Sequence, residues 1–200
     1  KTLYTMVIMI TVVLQGGLGN QLFQYAYGRA LKEQGKEVVY DASFFKNNSS
    51  FTKRAYLLDK FLLSNSITTV TNNPKQNFFT RVINKLDATR KVRYVPIDLS
   101  KDNYIADGYY VSPKYFSDIR PILLNEIVLK EKSEVYKHWE DKIRSAKHPV
   151  MIHARKTDYV GSNVFTNLDE DYFKRALACI DKDAEIFCFS DNVAWLSETL

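Results

Sequence analysis

Cysteine is scarce: the 200-residue chain has only Cys179 and Cys188. They stand too far apart for a C-x-x-C metal or redox motif and are too few for a disulfide framework, so a reducing, cytoplasmic setting is expected. No apolar run reaches the roughly 18 residues that a membrane span needs. The stretch from about Leu3 to Leu14 follows Lys1 and mimics a signal peptide, yet it enters the sequence QGGLGNQ with no small-residue cleavage site. Its second half reads as a buried strand, and its first half as translated upstream sequence, with Met6 or Met9 the expected natural start. Charge of one sign is not in large excess. With 28 Lys and Arg against 23 Asp and Glu, the net charge is +5, which suits an anionic ligand, a nucleic acid or an anionic membrane surface, and choosing among them requires a site. The sequence also lacks an H-x-x-x-H pair, a cysteine quartet, a serine elbow, internal repeats and low-complexity segments. No arginine-aromatic interleave points to nucleic acid.

What is present is a hydrophobic fraction of 46%, enough for one large domain or two small ones. Three of the seven glycines fall between positions 16 and 19, directly after the β-branched run MITVVLQ. From Gln21 the residues Leu22, Phe23, Ala26, Tyr27, Ala30 and Leu31 recur at three and four, predicting a helix that Asn20 caps and Gly35 ends. The run EVVYD at 37–41 is a second buried strand, which completes a β-α-β unit. The segment 71–96 is basic and reads as exposed. YIADGYYVS predicts a strand leading into a helix over PKYFSDIRPILLNEI, and SEVYKHWEDKIRSA a further amphipathic helix. A second β-α-β unit follows: strand 149–154, helix DEDYFKRALACID, strand 185–190 and a new helix near Asp191. The expected fold class is α/β with two Rossmann-like units, an N-terminal domain over 1–147 and the first part of a second over 148–200. Two parallel strands with two helices leave an apolar face and a bare strand edge, so the second unit is expected to be truncated at its C-terminus.

The glycine turn invites a dinucleotide reading, with Asp41 as the ribose-binding acid, but the third glycine of G-x-G-x-x-G is replaced by Leu22. No Gly-Lys-Ser/Thr follows, so it is not a Walker A loop either. Gly17, Gly19 and the amides of Asn20 and Gln21 at a helix N-terminus still favour an anion. The turn after strand 149–154 carries His153, Arg155, Lys156 and Asp158. A guanidinium can hold two phosphate oxygens at once, Lys156 adds a point charge, and Asp158 can orient either. Asp181-Lys182-Asp183 resembles a D-x-D metal motif but precedes its strand, so it reads as a solvated turn. Ser190 or Asp191 is placed to cap the last helix or to contact a nucleotide.

Four stretches, GGLGNQLFQYAYGRAL, GYYVSPKYFSDIR, IHARKTDYV and FCFSDN, together resemble the α-1,2-fucosyltransferases of bacteria and animals, glycosyltransferase family 11, in order and spacing. The first matches the family's G-G-L-G-N-Q motif almost letter for letter, and the third resembles its H-x-R-R-x-D. The resemblance implies a GT-B-like protein that moves L-fucose from GDP-fucose to a galactoside hydroxyl with inversion. It implies no metal or other cofactor, GDP-fucose as co-substrate, and a galactose-terminated or lipid-linked glycan as acceptor. Arg155 is then expected to hold the diphosphate and stabilise departing GDP, His153 and Asp158 to shape that turn, and Ser190 and Asp191 to lie towards the nucleotide. Gly17, Gly19 and Asn20 are expected to approach the fucose-phosphate portion. The chain departs from the pattern at Lys156, where the family has a second Arg, and it lacks the family's later tryptophan-containing motif. The functional expectation therefore attaches to the complete gene product. The alternative is a Rossmann-type nucleotide-binding oxidoreductase, and a third reading is a carbohydrate- or partner-binding module without catalysis. Net positive charge permits peripheral contact with an anionic inner membrane, and no anchor is recognised.

Overall fold

A computed structural model describes residues 9–46, 54–64, 68–70, 94–97, 104–157 and 168–199. The chain divides into two compact units, Lys1–Glu131 and Lys132–Leu200. The first is built on four parallel strands, β1 (Met9–Val13), β2 (Glu37–Asp41), β3 (Thr68–Val70) and β4 (Ile105–Ala106), in the spatial order β3-β2-β1-β4. β1 reads as a continuous apolar run because it lies between β2 and β4: Ile10, Val12 and Leu14 are fully buried and Thr11 nearly so. Each such side chain contributes about 1.5–3 kcal/mol by leaving water.

Helix α1 (Leu18–Glu33) connects β1 to β2 and buries Tyr25, Ala26, Ala30 and Leu31. It starts earlier than the apolar period suggests. Its N-cap is Gly17, which provides no side-chain bond, and Asn20 lies inside the first turn, so the expected Asn20 cap is not formed. Gly16, at φ +80, reverses the chain so sharply that the backbone N–H of Gln21 already reaches the Gly17 carbonyl at 3.1 Å. At the other end Gly35, at φ +78, follows the last turn as expected. Its N–H meets the Lys32 carbonyl and that of Lys36 meets Leu31, the paired bonds of a Schellman ending.

The stretch after residue 104 differs from expectation. β4 is only two residues long, and the chain continues through two 3-10 turns, Pro113–Tyr115 and Ser117–Ile119, into a short helix α2 (Arg120–Glu126). Two features cut up the expected strand and helix. Tyr110 adopts φ 52, which ends any extended run, and Pro121 has no N–H to continue a helix from the preceding turn.

In the second unit α3 (Glu134–Ser145) is capped by Ser133 and α4 (Glu170–Ala178) by Asp169. β5 (Pro149–Ala154) pairs in parallel with β6 (Glu185–Ser190), and α5 (Val193–Thr199) follows. Ile152 and Ala154 pack with Phe173 and Leu196 into a small core, joined by Leu177 and Trp195. Alternation sends Met151 and His153 to the other face, where Met151 is 67% exposed. The division between units assigns α3 to the second, ahead of the boundary at 147 that the sequence pattern suggested. Among the described residues both cysteines are free and exposed, and no helix is long and apolar enough to cross a membrane.

Candidate functional site

The glycine turn sits at the C-terminal end of β1, and β4 lies on the side of β1 opposite β2. Chain direction therefore diverges between β1 and β4, the topological switch point at which open α/β sheets bind ligands. α1 presents its N-terminus there. Its first turn holds no acidic residue and its cap no side-chain bond, so positive partial charge is left for an anion. The three glycines are not equivalent. Gly16 combines positive φ with an Asn20 side chain that stands 2.5 Å from where a Cβ would be. Gly17 faces the Arg54 guanidinium at 3.8 Å by the same measure, and Gly19 borders open space. Asn20 packs over Gly16 and so shapes the turn from within.

Gln21 does not offer its amide to a ligand. It is fully buried, donating to the carbonyls of Gly16 at 3.1 Å and Ala55 at 2.9 Å and accepting from the Leu57 N–H at 3.0 Å. Those bonds tie the segment carrying Arg54 to the glycine turn. One helical turn on, Gln24 is also fully buried. It accepts from the Gln15 N–H at 2.9 Å and donates to the Gly108 carbonyl at 3.1 Å. The Gln15 side chain in turn donates to Asp107 Oδ1 at 2.7 Å. Gly16, Gln24, Arg54 and Asp107 thus join the site, although none stood out as a site residue in the sequence, while Gln21, expected to face an anion, instead works as an internal clamp. Asp41, the candidate ribose acid, is 2% exposed and accepts from the Ser43 N–H at 2.8 Å, so the chain itself occupies it.

Below the switch point, Tyr110 holds its left-handed backbone by stacking on Tyr27, with ring centroids 3.7 Å apart, and by an edge contact with Tyr115. Burial pushes the Tyr27 and Tyr110 phenols far above their ordinary value. They remain neutral across the working pH range.

In the second unit the cationic turn leaves the C-terminal end of β5 beside the end of β6. Arg155 is half-buried and His153 exposed. The Asp191 carboxylate accepts from the Lys156 N–H at 2.7 Å through one oxygen and from the Thr157 hydroxyl through the other. These bonds hold its pKa below the ordinary carboxylate value. Ser190 Oγ donates to the Ala154 carbonyl at 2.7 Å and accepts from the Asn192 N–H at 2.9 Å, and it is Asn192, not Ser190 or Asp191, that caps α5 through the Trp195 N–H. Ser190 and Asp191 thus brace the turn that carries Arg155. Lys156 turns its ammonium back over the Trp195 ring, 4.0 Å from the centroid, and donates to the Leu168 carbonyl. Asp158 lies outside the described residues.

His148, Asp181 and Asp183 bring possible metal-ligand atoms within 4.8 Å of one another, with His148 Nδ1 3.5 Å from Asp183. They flank the N-terminal ends of β5 and β6, whereas Arg155 follows the C-terminal end of β5, so an ion there would not touch a ligand on the cationic turn. A groove between α3 and β6 is lined by Trp139, Phe187 and Phe189 together with Lys142 and Glu185, and neither His153 nor Arg155 lines it.

Comparison with known proteins adds findings of three kinds. The family model described as "Glycosyl transferase family 11" matches residues 5–200. The "O-antigen biosynthesis glycosyltransferase WbnK" of Escherichia coli is 26% identical over 226 aligned residues, which cover 93% of this chain and 74% of that protein. Among solved structures, "NodZ alpha-1,6-fucosyltransferase co-crystallized with GDP" has a TM-score of 0.57 at 12% identity, covering 97% of this chain and 75% of its own. "Fucosyltransferase NodZ from Bradyrhizobium" gives a TM-score of 0.54 at 12% identity, with 97% and 76% covered. At such identity the structural likeness shows the fold, which is GT-B-like with two Rossmann-type lobes, as the sequence led us to expect.

Proposed function

From its membership of glycosyl transferase family 11, we propose that the chain belongs to an inverting fucosyltransferase. It takes L-fucose from GDP-fucose to a galactoside hydroxyl, in α-1,2 linkage, during synthesis of a surface polysaccharide. The observation that carries the reading is the braced turn of the second unit. Asp191 and Ser190 fix the backbone on both sides of Arg155, so its guanidinium is positioned before charge builds on the leaving diphosphate. Charge stabilisation by a preset cation makes a metal unnecessary, and the reaction proceeds without one. The glycine turn, with its uncapped helix, serves the fucose-phosphate portion. Lys156 supports the turn from behind through Trp195 instead of reaching the diphosphate as a second forked cation.

Two relatives support the donor and the setting. The Escherichia coli protein is named for O-antigen biosynthesis, and solved NodZ structures were obtained with GDP and with GDP-fucose. The α-1,2 linkage rests on the G-G-L-G-N-Q motif, since NodZ is an α-1,6 enzyme. In the reaction, the C1–O bond to GDP loosens through an oxocarbenium-like state while the acceptor oxygen attacks from the opposite face. Calorimetric titration of the full-length gene product with GDP and with NAD tests the donor. GDP binding that weakens at least tenfold in Arg155→Ala is the expected result. NAD binding without GDP binding would return the oxidoreductase alternative.

A further inference from the structure

Resting on the fucosyl-transfer reading, we propose that Asp107 is the carboxylate that takes the proton from the attacking acceptor hydroxyl. It directly follows β4, at the C-terminal end of the sheet, on one flank of the switch point, with the glycine turn on the other flank. The Gln15 amide fixes Oδ1 at 2.7 Å, and Gln15 is itself 9% exposed. The Gly108 carbonyl beside Asp107 is held by Gln24, and the next turn is locked in its left-handed form at Tyr110 by the Tyr27 stack. Two buried glutamines and a strained tyrosine thus hold one half-exposed carboxylate at the ligand end of the sheet. A left-handed backbone is strained for a residue other than glycine, and such strain is concentrated at functional sites.

The other described acids of the first unit do not fit the task. Asp41 is buried against the Ser43 N–H. Glu33 and Glu37 stand at the opposite end of the sheet, and Glu126 is engaged by Arg29 at 3.0 Å and by Tyr25. Asp59 and Asp118 sit on 3-10 turns and not at the end of a strand, and Glu131 closes the unit beyond α2. In the step itself, the acceptor O–H proton passes to Asp107 as the acceptor oxygen forms its bond to C1 of fucose. The electron pair of the breaking C1–O bond leaves on the β-phosphate of GDP, and neutral Asp107 then releases its proton to water.

The test compares full-length wild type and Asp107→Asn in GDP-fucose transfer to a galactoside, with GDP affinity and the pH profile measured alongside. The amide keeps the shape and can still meet the Gln15 side chain, so the fold is retained, which the melting temperature checks. The expected result is a fall in kcat of about 10²- to 10⁴-fold, loss of the acidic limb of the kcat/KM profile, and GDP affinity within twofold. Formate, a small external carboxylate, should restore part of the rate in Asp107→Ala, where truncation leaves the space it needs. A purely structural role would leave the acidic limb in place and give no rescue by formate. Transfer by Asp107→Asn at near wild-type rate would overturn the assignment alone. A wild type that binds GDP yet transfers no deoxyhexose to any galactoside would overturn the reading on which it rests.

Discussion

Replacing Gln24 by leucine isolates the polar clamp at the switch point. The side chain is fully buried and its amide joins the Gln15 N–H at 2.9 Å to the Gly108 carbonyl at 3.1 Å. Leucine has a similar volume and no polar atom, so both backbone groups lose that partner within the fold. An unsatisfied buried group costs about 1–3 kcal/mol; two give about 2–6 kcal/mol, offset in part because leucine is not desolvated at a cost. A net loss of about 3 kcal/mol is expected, equivalent to roughly 10 °C in melting temperature for a unit of this size. Urea unfolding followed by far-ultraviolet circular dichroism measures it. Both tryptophans, Trp139 and Trp195, lie in the second unit, so their fluorescence serves as the internal comparison for a change that originates in the first. A loss below about 0.5 kcal/mol, the range of an ordinary surface substitution, would refute the clamp.

Gly28→Ala places a Cβ 2.5 Å from the Tyr40 hydroxyl and 2.7 Å from its ring. Since Tyr40 is itself buried and donates to the Tyr25 carbonyl, the expected cost is about 1–3 kcal/mol by urea unfolding, and a neutral result would contradict the close packing of α1 on β2. Lys156→Met removes the cation over Trp195 and should lower stability by about 1 kcal/mol while changing GDP affinity far less than Arg155→Ala does; equal losses of affinity would place Lys156 on the donor. The depressed pKa of Asp191 sets the sign of a pH effect. Its contribution is present above the unfolded value near 3.9 and is lost as pH falls through the lower folded value. The melting-temperature gap between wild type and Asp191→Asn should therefore be open at pH 7 and narrow as the pH falls below the ordinary carboxylate range, and a gap independent of pH would show that the carboxylate does not brace the turn.

Much of this architecture could be read from local pattern. β1, α1 and β2 were legible because a buried parallel strand is a short apolar run, a helix repeats its apolar residues at three and four, and Gly35 ends the helix where a positive φ is needed. Strands β5 and β6 were legible for the same reason. The start of α1 was misjudged because a capping side chain is a weaker signal than the reversal imposed by Gly16. The helix expected over 113–127 broke at Pro121. The clamps were hidden for a different reason: Gln24 and Gly108 are 84 positions apart, and Gln15 and Asp107 are 92 apart. A buried glutamine on an apolar face carries no local sign of the loop it holds. The back-turned Lys156 likewise depends on Trp195, which only the packing of α5 brings near.

The most direct measurement is transfer of fucose from GDP-fucose to lactose by the full-length gene product in EDTA, read by mass spectrometry for wild type and Arg155→Ala. The account predicts a product heavier by one deoxyhexose, linked at the galactose 2-hydroxyl, formed by wild type and lost in Arg155→Ala. Equal transfer by both proteins, or transfer that stops in EDTA and returns with a divalent metal, would contradict it.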